Sequence, residues 1–293
     1  MSDMTLTQQV NDVIATLSKD IKNNKLELPS PPDLILNIRA LIADQKTTTD
    51  DIAALIKQDP HIAGRLIKVA NCSLFGARQH VTDVKSAVSR LGLSRVQNLI
   101  IGLSIAQNMM KSRTRELDDY FERCWKQSNH VAAISYVLAQ QKSSIDPEQA
   151  LLAGMVHNIG TLPLVLRLNR IPDLKNNAHV FKMVADVVLP KLYASAGSLV
   201  MKSWNFAPNI ISIALSHCDL IRESKGPTDL DDLVLIAYQL DISLNDITQL
   251  DELPENILNT TAFKKLWPNK EKAIEELTQY KVEIDQMKQS IGH

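Results

Sequence analysis

Asp59-Pro60-His61-Ile62-Ala63-Gly64-Arg65-Leu66-Ile67-Lys68-Val69-Ala70-Asn71 reads as one complete helix with both ends written into it. The Asp59 carboxylate is placed to accept from first-turn amides that have no partner inside the helix, and Pro60 takes the first helical position, where no N–H is needed. Ile62, Leu66 and Val69 recur at three- and four-residue steps and so share one face, and Asn71 stands where the helix should end.

The same pattern extends in both directions. Upstream, Leu6, Val10, Val13, Leu17 and Ile21 mark an amphipathic first helix, and Leu28-Pro29-Ser30-Pro31-Pro32 stops it from continuing. Leu34, Ile38, Leu41 and Ile42 line a second helix, and Thr49 followed by Asp50 and Asp51 opens a third that carries Ile52, Leu55 and Ile56. Downstream, past Phe75 and Gly76, Val84, Val88 and Leu91 form a short helix ended by Gly92. Ser94 is expected to cap the next, with Leu99, Leu103, Ala106 and Met110 turned inward. The first half is thus expected to be a bundle of about six helices. The basic run Lys111-Ser112-Arg113-Thr114-Arg115 follows; it could grip a phosphate, but the plainer reading is that it complements the negative end of a helix.

Beyond that run a long helix is expected through Phe121, Trp125 and Val131 to Leu138. Asp146-Pro147-Glu148-Gln149 opens another, which ends near His157-Asn158-Ile159-Gly160. Further helices are expected at 180–188, 191–204, 208–222 and 230–240. Near the C-terminus Leu277, Tyr280, Ile284, Met287 and Ile291 form a seam of about two heptads, which can pack back on the body or join a second copy in a homodimer. The fold class is all-α.

Composition agrees with that class and excludes others. Of 293 residues 45% are hydrophobic and 22% charged, the ordinary globular balance. With 9 Gly, 5 Phe, 3 Trp and 5 Tyr and little strict alternation, sandwiches and barrels lose ground. A net charge of −1 supplies no field to draw the chain onto nucleic acid or an anionic membrane, so neither is an expected partner. Cys72, Cys124 and Cys218 are too few and too scattered for a disulfide framework. The first twenty or so residues lack the apolar core of a signal peptide. The apolar stretch Val96–Met110 is interrupted by Gln97, Asn98, Ser104, Gln107 and Asn108, so a soluble cytoplasmic protein is expected.

Three places offer chemistry: His130 on the long helix, His157-Asn158 at a helix end, and His217-Cys218. His61, His80 and His179 read as ordinary core or rim histidines. No Gly-rich phosphate loop, zinc-protease helix or nucleophile elbow occurs.

Longer motifs place these residues in a frame. Leu28-Pro29-Ser30-Pro31-Pro32, Asp59-Pro60-His61-Ile62, Val69-Ala70-Asn71-Cys72-Ser73-Leu74-Phe75-Gly76 and Ala87-Val88-Ser89-Arg90-Leu91-Gly92 occur in an order and spacing that resemble HDOD domains, the HD-related output domains of bacterial signalling proteins. Trp125-Lys126-Gln127-Ser128, Gly154-Met155-Val156-His157-Asn158-Ile159-Gly160 and Trp204-Asn205-Phe206-Ala207-Pro208 continue the likeness, which covers about residues 25 to 240. The resemblance implies a two-lobed chain: an N-terminal helix (1–27), an N-terminal helical bundle (28–112) packed on a degenerate HD-phosphohydrolase-like helical lobe (113–245), and a C-terminal helical tail (246–293).

In the HD superfamily a His, a His-Asp pair and a distant Asp bind a metal that activates water. By resemblance His130 and His157 match, but Asn158 replaces the acid of the pair, and Tyr238 stands where the distant aspartate is expected. Tyr193 precedes Gly197 where related enzymes carry a further histidine, and their paired histidines read His217-Cys218. Changing one outer partner of a metal ligand typically costs about 10- to 100-fold in affinity, so losing two ligand anions should cost at least as much. The expectation is a chain with no catalytic residue, metal or cofactor, whose vestigial cleft (His130, His157, Asn158, His217, Tyr238) binds signalling proteins or a nucleotide messenger. The alternative is a metal-dependent phosphohydrolase acting on a nucleotide with an altered ligand set. Asp59 and Asn71 are marked by the family motifs and also occupy ordinary capping positions. With no receiver, kinase or cyclase segment in the chain, action through a separate partner is expected.

Overall fold

The computed structural model describes residues 3–75, 79–110, 115–243 and 253–292. Gly76, the basic run at 111–114 and the expected lobe boundary at 112/113 lie outside them.

The described residues form helices and connecting loops, with no strand among them. In chain order the helices are α1 (Asp3–Lys22), α2 (Asp33–Ala43), α3 (Thr49–Ile56), α4 (Pro60–Ala70), α5 (Val84–Leu91), α6 (Leu93–Met110), α7 (Arg115–Lys142), α8 (Pro147–Val156) and α9 (Thr161–Leu168). There follow α10 (Pro172–Lys175), α11 (Ala178–Ser203), α12 (Pro208–Ile211), α13 (Ile213–Ser216), α14 (Leu230–Ser243), α15 (Glu255–Leu258), α16 (Thr261–Leu266) and α17 (Lys270–Ile291). A short 3-10 turn covers Ser73–Phe75.

The caps behave as their chemistry requires. Asp59 accepts from the amides of His61 and Ile62 at 3.0 and 3.1 Å, and Asn71 is the C-cap of α4. Thr48 and Asp51 form a reciprocal capping box at the start of α3. Gly92, at φ +80°, ends α5 in a conformation that side chains disfavour. Its carbonyl already accepts from Val96, so α6 begins at Leu93 and Ser94 lies inside the first turn instead of capping it.

Two expected helix boundaries are absent. Residues 178–203 form one helix through Pro190, where a break was expected. Val184, Ala185 and Val188 before the proline, and Ala196, Val200 and Met201 after it, are fully buried, and α11 packs on both α1 and α9. That burial outweighs the roughly 3 kcal/mol a helical proline costs. Conversely, 208–222 gives only the short α12 and α13, followed by a loop.

The chain divides into two compact units whose segments interleave. One holds Met1–Ser30, Met109–Cys124 and His157–Leu215. Its core is α11 with α1 and α9 against it, through Leu17, Leu164, Val165, Leu168, Phe181 and Val188. Trp204 closes this unit by donating from Nε1 to the carbonyl of Pro29 at 2.8 Å, which ties the proline-rich break to the end of α11.

The other unit holds Pro31–Asn108, Trp125–Val156 and Ser216–His293. Here α3, α4 and α5 pack together, α14 lies against α8 and α16, and α17 lies against α4. Leu277, Ile284, Met287 and Ile291 of the C-terminal seam are fully buried, so the seam packs on its own unit. The stretch Pro147–Leu168 is apolar enough to cross a bilayer, but 83% of it is buried inside the protein, where core packing accounts for the apolarity.

The loop after α13 is drawn out of helical form by charge. Arg222 reaches Asp229 at 2.6 Å and Asp232 at 2.5 Å, while Lys265 of α16 meets the other Asp232 oxygen at 2.8 Å. Asp232 is 1% exposed and also accepts from Ser224 and the Asp229 amide. Removing one partner of such a buried set leaves charge uncompensated, so Asp232→Ala is expected to lose about 3–5 kcal/mol in urea unfolding. An unchanged midpoint would show that the network is idle.

Candidate functional site

The residues that the family resemblance marks fall into both units. His157 and Asn158 belong to the first; His130, His217 and Tyr238 belong to the second.

Asn158 sits in the turn between α8 and α9 and is 2% exposed. Its Nδ2 donates to the carbonyl of Cys124 at 3.0 Å, and the Cys124 thiol lies 3.8 Å from the carbonyl of Asn158. The side chain therefore serves as a hydrogen-bond donor to the α7 backbone, a part no ionised carboxylate can play. Burial pushes the Cys124 thiol up to about 12, the Thr161 contact opposing only in part, so Cys124 is a neutral packing group. His157 is fully buried.

The turn ends at Gly160, whose backbone is ordinary right-handed helix (φ −67°, ψ −15°). The need for glycine here is one of space. A Cβ would stand 1.9 Å from the carbonyl oxygen of Tyr193 and 2.3 Å from the amide nitrogen of Gly197. Tyr193 and Gly197, expected to mark a lost histidine site, thus form the backbone floor on which the His157–Gly160 turn rests.

In the second unit His130 has a partner that the sequence reading missed. Its Nδ1 lies 2.6 Å from Asp241 Oδ1, and Gln127 donates to Asp241 Oδ2 at 3.0 Å. Both side chains of the pair are 14% exposed. Asp241 lies three residues beyond Tyr238 along α14, on a neighbouring stripe of the same helix. A scan for acids one turn beyond Tyr238 would have found it.

Tyr238 instead meets His217. The rings are edge to face, 4.9 Å between centroids and 86° between planes, and His217 is fully buried. Cys218 is exposed, so the adjacent pair points in different directions.

Asn71 is more than a cap. Its side chain donates to the carbonyl of Val81 at 2.7 Å and accepts from the amide of Val81 at 2.9 Å, pinning the far end of the loop that follows α4. Arg90 adds a bond to the carbonyl of Ala70 at 3.0 Å. These motif residues hold backbone in place.

An HD-type metal needs several convergent anionic or imidazole donors. Among the described residues no group of three or more His, Cys, Asp and Glu side chains is arranged to hold one. Asn158 turns its amide to a carbonyl and Tyr238 lies against His217, so the two residues that the resemblance sets in acidic positions offer no anion.

The HDOD domain family matches residues 28–220, about two thirds of the chain. The chain belongs to the HDOD family. Among curated proteins, an uncharacterised protein of Treponema pallidum (strain Nichols) is 23% identical over 253 residues, 83% of this chain. This HDOD chain spans about half (48%) of that relative's length. Among solved structures, one from Shewanella amazonensis SB2B, provisionally described as a metal-dependent phosphohydrolase, has a TM-score of 0.74 at 23% identity, covering 97% of this chain and 100% of its own. An HDOD domain protein of unknown function from Geobacter sulfurreducens has a TM-score of 0.62 at 18% identity, covering 97% and 99%. A protein of Marinobacter aquaeolei VT8, provisionally described as a signal transduction protein, gives 0.56 at 19%, covering 97% and 66%. The helical fold is common to these proteins.

Proposed function

We propose that this HDOD chain is a non-catalytic regulatory module of a bacterial cytoplasmic signalling pathway, working by holding a protein partner or a nucleotide messenger. The observation that carries the reading is Asn158. The position that would supply an anion to a metal is occupied by a buried amide engaged with the Cys124 carbonyl. Exchanging it for an acid would disrupt the turn before it armed a water molecule. The provisional description of the Marinobacter aquaeolei protein points the same way. A homodimer would be compatible with this role.

One observation favours a second reading, a metal-dependent phosphohydrolase of altered ligand set. If His130 donates from Nδ1 to Asp241, its Nε2 is left as an acceptor, the arrangement in which imidazoles commonly meet a metal or a proton.

The two separate in one set of measurements on the purified chain. Elemental analysis after Mn²⁺ loading, with phosphodiesterase and nucleotidase assays, should give less than stoichiometric metal and no turnover. Stoichiometric Mn²⁺ together with hydrolysis abolished in His157→Ala would establish the enzyme and end the regulatory reading. Capture from the native cell, compared between the intact chain and Asp241→Ala, should identify a partner that depends on the His130–Asp241 pair.

A further inference from the structure

A cleft of about 490 Å³ lies in the second unit between α7 and the last turns of α17. That is room for one small organic molecule. Trp125, Lys126 and Asn129 line one side; Asp285, Lys288 and Gly292 line the other.

Two of these residues carry buried polar atoms without a hydrogen-bond partner among the described residues: Nε1 of Trp125 and Oδ1 of Asn129. The residues are 2% and 4% exposed. Native proteins leave few such atoms, because each gives up its bonds to water and gains nothing in return. Here the two stand four residues apart on α7, hence on one face, and they are complementary: one N–H donor and one carbonyl acceptor. Arg65 lies over the Trp125 ring, 5.6 Å from its centroid, and occupies one face of the indole.

Among the described lining residues Lys126 and Lys288 outnumber the acid Asp285, which is paired with Lys281 at 2.6 Å. A ligand that satisfies the whole set offers an acceptor beside a donor on one planar edge and carries anionic oxygens. That is the chemistry of a nucleotide: a base edge next to a phosphate.

We propose that the α7–α17 cleft is a nucleotide-binding site, in which Trp125 donates to and Asn129 accepts from the base edge while Lys126 and Lys288 receive the phosphate. The biological meaning of the site rests on the regulatory reading above; its chemistry does not involve His157 or Asn158.

Calorimetric titration of the full chain with AMP and with GMP, and with ribose 5-phosphate as the phosphate-only control, tests it. At least one nucleotide should bind and the control should bind far more weakly. Lys288→Glu, a change at an exposed position, should weaken binding about tenfold or more, a difference of about 1.4 kcal/mol. Trp125→Phe keeps the ring but removes the N–H; it should weaken binding without lowering the melting temperature of the free protein, since the group it deletes has no partner to lose. No binding of either nucleotide, or binding unaffected by both substitutions, overturns the site and leaves a protein-binding regulator intact. Turnover of the bound nucleotide would overturn the regulatory reading and leave the site standing.

Discussion

Gly160→Ala is expected to be the most damaging Gly→Ala change among the described residues. The added Cβ would fall 1.9 Å from the Tyr193 carbonyl oxygen and 2.8 Å from the Gly197 Cα, and these are backbone atoms of α11, not flexible side-chain ends. Relief requires moving the turn or the helix, and α11 is packed on α1 and α9. Overpacking typically costs about 1–3 kcal/mol, and a backbone clash of this depth belongs at or above the upper limit. At roughly 2–4 °C per kcal/mol for a domain of this size, the melting temperature should fall by about 10 °C. Gly197→Ala supplies the internal comparison. There the nearest atoms are 3.3 Å and beyond, so a loss of no more than about 1 kcal/mol is expected from the same added methyl. If Gly160→Ala melts within a degree or two of the parent, the close approach of turn and helix is wrong.

The helices were largely legible because their signals are local. Asp59-Pro60, Gly92 and the Asp146-Pro147 start each act on backbone within a turn of themselves, and the structure uses all three. What could not be read was decided at a distance. Pro190 looks like a terminator until α1 and α9 bury the residues on either side of it. The segment at 208–222 has helical composition, but Arg222 reaches the aspartates at 229 and 232, which requires an extended path between. The candidate site shows the same division. His130 and His157 could be named from motif spacing, whereas the partner of His130 depends on how α14 is registered against α7, and the reading settled on Tyr238 one turn too early. Asn158 was read as an acid that had lost its charge. Its positive use, donating to Cys124, depends on a carbonyl 34 positions away that no local pattern announces.

That last distinction gives the second large effect. Asn158→Asp restores the letters of an HD motif, and it should unfold the protein rather than revive a metal centre. The Nδ2 donor facing the Cys124 carbonyl at 3.0 Å would become a carboxylate oxygen facing another oxygen, inside a site 2% exposed. Loss of the hydrogen bond and burial of an unpaired charge together should cost about 3–5 kcal/mol at neutral pH. The new acid has one escape, to stay protonated and donate its O–H to the same carbonyl, so its pKa in the folded state must rise above the unfolded value of about 3.9. The folded state then binds the extra proton, so the variant approaches parental stability below that value and loses ground as pH climbs through the raised pKa. Melting curves of parent and variant from pH 4 to pH 8 should therefore diverge with rising pH, and Mn²⁺ should not close the gap. A variant that is stable at pH 8, or that is rescued by stoichiometric Mn²⁺, would mean that the 158 side chain can turn toward a metal after all, and the regulatory reading would fall with the hydrogen bond that supports it.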